Sequence, residues 1–301
     1  MTPSRQSERW KGLLAALVGI ACWSGFNIVS RLGTRSSLTP FDLVALRFGV
    51  AVCVMAPIYW ISHNPLSRLR LMVLSMTGGA GYALCVYTGF SMAPAAHAGI
   101  LVNGGIPVAT AALGWLWLKE RPTQPVLLAL ALATSGLVLI AWHQRASLSG
   151  QMTLWGDLFY LGAALLWASY GLLVRHWNVR PLDAASGITV GSALLYLPIY
   201  ILFLPKAIAH VSYAELLLQA VYQGIVAALI ATFSFAIAIR SLGTGAASLM
   251  LAVVPGLTAM LAVPLLGESL SHITLVGIVL VTSGALLGAR FRHTPTPLTP
   301  R

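Results

Sequence analysis

The sequence predicts an all-α integral membrane protein with ten transmembrane helices, arranged as two inverted five-helix repeats. Three observations carry that prediction. First, 58% of the 301 residues are apolar and only 8% are Asp, Glu, Lys or Arg, against about 25% charged residues in an ordinary soluble domain. So few charges could not cover the surface of a soluble protein of this length, and a mean hydropathy of +0.84 agrees. Second, apolar runs of membrane-crossing length follow one another with short connectors. Third, the second half of the chain repeats the first. The net charge of +11 raises the question of nucleic acid. The basic residues sit singly between apolar runs and form no patch, so they read as cytoplasmic membrane anchors, with the lipid bilayer as the partner and no nucleic acid.

A helix crosses the hydrocarbon in about 20 residues. The runs cover 12–31, 41–62, 70–92, 94–118, 125–142, 155–177, 183–204, 214–240, 244–266 and 272–290. The basic start of the first leads into a run with no small-residue cleavage site, so a span is expected rather than a cleaved leader. Thr39-Pro40, Asn64-Pro65, Arg121-Pro122, Arg180-Pro181 and Leu204-Pro205 break the runs. The connectors are too short for a soluble domain, and 1–301 reads as a single membrane domain. With both termini in the cytoplasm, thirteen of the 18 Lys and Arg fall on the inner side, four on the outer side, and Arg47 inside a span. That bias sets the expected topology.

Residues 107–141 align without a gap on 255–289, at an offset of 148, with thirteen of 35 positions identical. Pro107/Pro255, Thr110/Thr258, Glu120/Glu268 and Thr134-Ser135-Gly136 against Thr282-Ser283-Gly284 are among them. A weaker match joins the first and sixth spans through Gly12/Gly156, Leu17/Leu161, Trp23/Trp167 and Arg31/Arg175. The halves are 1–150 and 151–301, with five spans each. Five is odd, so the second half enters the membrane in the opposite sense. The turn Lys119-Glu120-Arg121 keeps its cations on the inner side, whereas Gly267-Glu268-Ser269 has lost them on the outer side. Inverted repeats build transporters with a solute site near the midplane.

These features resemble the EamA-type branch of the drug/metabolite transporter superfamily. The resemblance rests on Trp23-Ser24-Gly25-Phe26, Ala45-Leu46-Arg47-Phe48, Pro94-Ala95-Ala96, Glu120-Arg121-Pro122 and Gly267-Glu268, in that order, and covers essentially the whole chain. It implies export of small metabolites, often amino acids, across the bacterial inner membrane, and within the family the sequence looks closest to aromatic and neutral amino-acid exporters. Apolar drugs, or another metabolite such as a nucleoside or sugar derivative, are the alternative cargo. Small multidrug transporters look like half of this chain and use a carboxylate in the middle of the first span. Gly19, Ile20, Ala21 and Cys22 stand there instead, so that coupling mechanism does not carry over.

Every acidic residue lies in a tail or near a span end: Glu8, Asp42, Glu120, Asp157, Asp183, Glu215 and Glu268. Midplane charges are costly and usually functional. Their absence argues against a cationic substrate and against a carboxylate proton relay, and favours a neutral or zwitterionic small molecule. Arg47 lies roughly 9 Å into the second span. It reads either as a cation snorkelling to the interface or paired with Asp42, or as a guanidinium for a substrate carboxylate.

The candidate substrate-binding residues are Trp23, Asn27, Tyr82, His97, Asn103, Trp167, Tyr170 and Gln223. Tyr82 and Trp167 fall near span midpoints, where an interfacial aromatic belt does not explain them. Trp10, Trp60, Trp115, Trp117, Trp142, Trp155 and Trp177 suit that belt. Asn27, Asn103 and Gln223 are intramembrane amides, able either to join helices or to read an α-amino or α-carboxylate group. His97 either packs or titrates near neutral pH. Pro107 and Pro255 free backbone carbonyls and are the candidate hinges. Gly78, Gly79 and Gly81 allow close helix approach. Cys22, Cys53 and Cys85 read as small buried hydrophobes, no metal cluster or cofactor motif is present, and no HExxH or Ser/His arrangement points to an enzyme. A monomer or weak homodimer is expected.

Overall fold

The computed structural model describes residues 3–119, 123–144, 148–242 and 253–290. The Glu120-Arg121-Pro122 turn, the start of the expected 244–266 span and the Pro-rich tail at 294–297 lie outside the described residues. Among the described residues there is no strand, and besides a short 3-10 turn at Ile208–His210 ten α-helical runs form. They are α1 (Pro3–Arg35), α2 (Pro40–Ile61), α3 (Arg68–Met92), α4 (from Ala95 through Gly105–Leu118), α5 (Gln124–Gln144), α6 (Leu148–His176), α7 (Pro181–Phe203), α8 (Tyr213–Leu242), α9 (Val254–Leu266) and α10 (His272–Arg290). Seven of them, α1–α4 and α6–α8, are long and apolar enough to cross a membrane; the apolar stretches Gln124–Gly136, Val254–Leu266 and His272–Gly284 are shorter. α1 and α6 begin before their apolar runs, at Pro3 and Leu148, because polar residues extend a helix once it has left the hydrocarbon.

The helix starts are written locally. Pro40 and Pro181 occupy the first turns of α2 and α7, where a missing N–H costs nothing. Thr39 and Asp42 form a reciprocal capping box on α2. Ser67 and Ser212 cap α3 and α8. At their other ends α4 and α9 finish on Lys119 (φ 58°) and Gly267 (φ 64°). These are repeat mates that share a left-handed turn although only one of them is glycine.

Among the described residues three helices widen into π-turns: α3 at Ser75–Gly79, α4 at Gly99–Gly104 and α8 at Tyr222–Ile230. Nothing in composition marked them. α3 and α8 are the third helices of the two halves.

Lipid tails are as apolar as leucine, so helices associate here through close packing and hydrogen bonds rather than through the hydrophobic effect. Trp60, Leu202 and Phe203 are 71%, 70% and 78% exposed and face that solvent. Cys53 corrects the expectation of three buried cysteines: it is exposed on α2 while Cys22 is buried, since it projects from the lipid side of its helix. Small residues bring backbones together. A Cβ on Gly136 would stand 2.9 Å from the Gly277 carbonyl oxygen, and one on Gly284 would stand 2.6 Å from that of Ala129. The repeated Thr-Ser-Gly is thus the crossing of α5 and α10.

Helix partners follow a pattern of exchange. α1 packs antiparallel on α8, with Gly12 beside Ser241 and Leu242 and the Gln219 amide donating to the Val29 carbonyl at 2.8 Å. α6 packs antiparallel on α3, with Gly156 beside Ala93 and Gly78 beside Tyr170. α1 runs parallel to α9, linked by Asn27–Thr258 and by Arg35 to the Leu266 carbonyl. α6 runs parallel to α4, with His97–Asp157 and Gly105 beside Ala164. α2 pairs with α7, and α5 with α10.

Candidate functional site

Between α3 and α6 the structure gathers three of the expected aromatics. Tyr82 and Trp167 lie 4.9 Å apart at 51°, and Trp167 and Tyr170 lie 5.2 Å apart at 48°. Gly78 makes the room: a Cβ there would sit 2.5 Å from the Tyr170 ring. All three rings are half-buried, so the cluster keeps an accessible face. Trp23, the repeat mate of Trp167, makes its ring contact elsewhere, with Phe235 of α8 at 5.3 Å. Each tryptophan therefore meets an aromatic from the third helix of the other half. Phe235 was not among the sequence candidates, because an apolar residue in an apolar run carries no signal of its own.

The amides divide. Gln223 is fully buried. Its oxygen accepts from the Tyr87 hydroxyl at 2.9 Å, and its nitrogen donates to Ser30 Oγ at 3.1 Å and Gln219 Oε1 at 3.0 Å. With both donors and the acceptor engaged, it joins α1, α3 and α8 and has no free donor for a solute in this conformation. Asn27 is also buried and donates to Thr258 Oγ1 at 3.0 Å. Asn103 lies half-buried on the π-turn of α4, and among the described residues its amide makes no hydrogen bond. His97 is buried, and its Nδ1 lies 2.9 Å from Asp157 Oδ1. Pro107 follows directly after that π-turn, and Pro255 stands in the first turn of α9, its Cα 3.1 Å from where a Gly99 side chain would begin.

Arg47 departs from its expected partner. Its guanidinium stands over the Phe26 ring, 5.4 Å from the centroid, and that ring in turn packs 5.9 Å from Tyr87. The Asp42 carboxylate is unavailable to it. That fully buried group accepts from Thr39 N at 2.8 Å, Thr39 Oγ1 at 2.7 Å, Tyr200 OH at 2.6 Å and Ala207 N at 3.2 Å.

Asp42 is thus a hub closing one end of the α2–α7 pair. At the same end Glu268 accepts from the backbone N–H groups of Ala95 and Ala96 at 3.1 and 3.4 Å. Arg31 and Arg35 each approach its carboxylate to 3.4 Å, while Arg31 also donates to the Phe90 carbonyl. Tyr160 OH donates to the Ala93 carbonyl at 3.3 Å.

The opposite end of the pair is built differently. Asp183 is buried, yet its carboxylate is held by the exposed Arg180, at 3.0 Å from Nη2. That hydrogen bond raises the guanidinium above its ordinary pKa. Asn64 joins the helices there by donating to the Asp183 carbonyl at 2.8 Å and to Ser186 Oγ at 3.1 Å. These hubs went unread in the sequence as anything beyond acids near span ends. A signal was present: Pro40-Phe41-Asp42 and Pro57-Ile58-Tyr59 recur at an offset of 141 as Pro181-Leu182-Asp183 and Pro198-Ile199-Tyr200. An apolar crevice of about 430 Å³ between α2 and α7, lined by Val52, Ala193, Leu197 and Pro198, opens toward the exposed Leu194 and Ile201; it faces lipid and offers no polar group to a solute.

The model of the EamA-like transporter family matches the chain twice, at residues 10–142 and 154–289. The chain is 26% identical over 279 residues to the uncharacterized transporter YwfM of Bacillus subtilis, covering 91% of this chain and 92% of that protein. It is 25% identical over 303 residues to a probable amino-acid metabolite efflux pump of Salmonella typhimurium, covering 95% and 98%. A chain of known crystal structure superposes with a TM-score of 0.61 at 21% identity, over 93% of this chain and 97% of that one, and so shares the fold.

Proposed function

The chain belongs to the EamA-like transporter family, and from that premise we propose that it exports small metabolites, neutral or aromatic amino acids foremost, across the bacterial inner membrane by alternating access. Ten helices cross the bilayer in this reading, 1–150 and 151–301 form the two inverted halves, and both termini are cytoplasmic, which places the Asp42 end outside. Helix directions support the inversion. α1 runs parallel to α9, α9 antiparallel to α4 (Glu268 meets Ala95 and Ala96, and Gly99 meets Pro255), and α4 parallel to α6. So α6 runs against its repeat mate α1. The amino-acid class is supported by the name of the Salmonella relative and by the aromatic wall.

The solute lies against Tyr82, Trp167 and Tyr170, with Asn103 as a polar contact and with Trp23 and Phe235 closing the other half. Pro107 and Pro255 flank the site as hinges. No metal or cofactor takes part, no covalent chemistry is catalysed, and the unit is a monomer or weak homodimer. The observation that carries alternating access is the unequal pair of mirror contacts. Tyr200 reaches Asp42, while Tyr59, its repeat mate, packs its ring on Trp60 at 5.7 Å, and among the described residues its hydroxyl makes no hydrogen bond to Asp183 or elsewhere. One end is latched and the equivalent latch is open, as expected of halves that exchange conformations. Counterflow tests this. Proteoliposomes of the full chain loaded with L-phenylalanine are expected to accumulate labelled L-phenylalanine saturably. Linear uptake equal to that of protein-free vesicles would remove phenylalanine, and the aromatic-amino-acid reading with it.

A further inference from the structure

Arg47 is the one Lys or Arg placed well inside an expected span, away from its ends, and among the described residues it makes no ion pair. An intramembrane cation is expensive and normally finds a counter-charge. Among the described residues the four buried carboxylates are each tied to other groups. Asp42 is spent on Thr39, Tyr200 and Ala207, Asp157 on His97, Asp183 on Arg180, and Glu268 on Arg31, Arg35 and the α4 amides. Arg47 is half-buried and held on the face of Phe26, whose ring packs 5.9 Å from that of Tyr87, so its donors are positioned without being neutralised. Its repeat position holds Ile188, so the charge is not demanded by the architecture. Phe26 packs on Tyr87 of α3 at 5.9 Å, and about 7.5 Å back along that helix Tyr82 begins the wall it forms with Trp167 and Tyr170: a fixed cation at one end, a wall of rings at the other.

We infer that Arg47 is the carboxylate anchor of the solute site, and that the substrate class is a carboxylate on an apolar, preferably aromatic, body whose α-amino group is dispensable. This rests on the carrier reading above and narrows it. A guanidinium binds a carboxylate through charge-assisted, often bidentate hydrogen bonds. An ammonium group would meet only neutral acceptors such as the Asn103 amide and the tyrosine hydroxyls. Deleting the amino group therefore costs little, and deleting the carboxylate leaves the guanidinium without its partner.

The test uses the full chain in detergent and in proteoliposomes, with binding followed by quenching of tryptophan fluorescence and flux by labelled L-phenylalanine. Competitors are phenylpyruvate, which lacks the amino group, and 2-phenylethylamine, which lacks the carboxylate. Phenylpyruvate is expected to compete within about threefold of L-phenylalanine, and the amine to be weaker by about tenfold to a hundredfold, the span of a charged hydrogen bond. Arg47→Gln is expected to lose that discrimination and Arg47→Lys to retain part of it. The analogue series on the unaltered protein decides the matter even if Arg47→Gln does not fold. Competition by the amine equal to that of phenylalanine, or none by phenylpyruvate, overturns the anchor while leaving a carrier. Carboxylate-selective binding without any flux keeps the anchor and overturns the carrier; neither binding nor flux of any of the three overturns both.

Discussion

The two ends of the α2–α7 pair start from the same sequence and reach different structures. Pro-x-Asp opens each helix and Pro-Ile-Tyr sits near each far end. At the Asp42 end the carboxylate gathers its own cap, the Tyr200 hydroxyl and the Ala207 amide into one buried knot. At the Asp183 end the buried carboxylate is held, among the described residues, by the exposed Arg180 alone, and the Asn64 amide donates only to a backbone carbonyl and a serine. The difference teaches that the repeat supplies two copies of a latch, and that the rest of the fold decides which copy is closed.

The largest expected effect separates the ends directly. Asp42→Ala removes the acceptor for four hydrogen bonds in a fully buried site and should destabilise the protein by about 3 kcal/mol. Asp183→Ala removes a single ion pair to the exposed Arg180 and should cost less, about 1 kcal/mol. Thermal unfolding of both variants in one detergent checks the order; equal losses would erase the comparison.

Next in size is the α5–α10 crossing. Gly136→Leu and Gly284→Leu push a side chain into backbone 2.9 and 2.6 Å from the Cβ position and should each cost about 1–3 kcal/mol by overpacking, read by the same melts. In the proposed solute site, Tyr82→Ala and Trp167→Ala should weaken recognition of L-phenylalanine by about tenfold each, a stacking contact plus lost apolar area. Unchanged half-saturation in counterflow, with normal folding, would remove both rings from the site. Because the four buried carboxylates among the described residues are each tied to neighbouring groups, facilitated flux should persist when a protonophore collapses the pH gradient at a fixed substrate gradient; complete loss would demand a proton relay. The smallest effect compares the repeat turns. Lys119 holds φ 58° where its mate is Gly267, so Lys119→Gly should stabilise by about 1 kcal/mol, with a higher melting temperature as the readout.

Apolar runs and prolines made the helices legible, because lipid as solvent forces long uninterrupted segments. The aromatic wall was half legible: Tyr82 and Trp167 stood out by depth, but their contact depends on Gly78 admitting Tyr170 from another helix. Gln223 could not be read from its own segment. Its engaged amide is a property of Tyr87, Ser30 and Gln219 meeting around it, partners that only the pairing of α1, α3 and α8 brings in. The π-turns left no trace in composition, since a widened turn costs little and needs no particular side chain. The Asp42–Asp183 relation was legible and hidden at once, because five matches spread over a helix at a different offset look like chance until the two helices are seen to pair.

Spin-label distances across the two ends of that pair, followed together, test the exchange most directly. Ser37 with Lys206 reports the Asp42 end, and Ile61 with Leu182 the Asp183 end; all four side chains are exposed and none belongs to a latch. On adding substrate to the reconstituted full chain, one distance should lengthen as the other shortens. Distances that stay fixed during active flux, or that move in the same direction, would contradict two inverted halves trading conformations around a shared site.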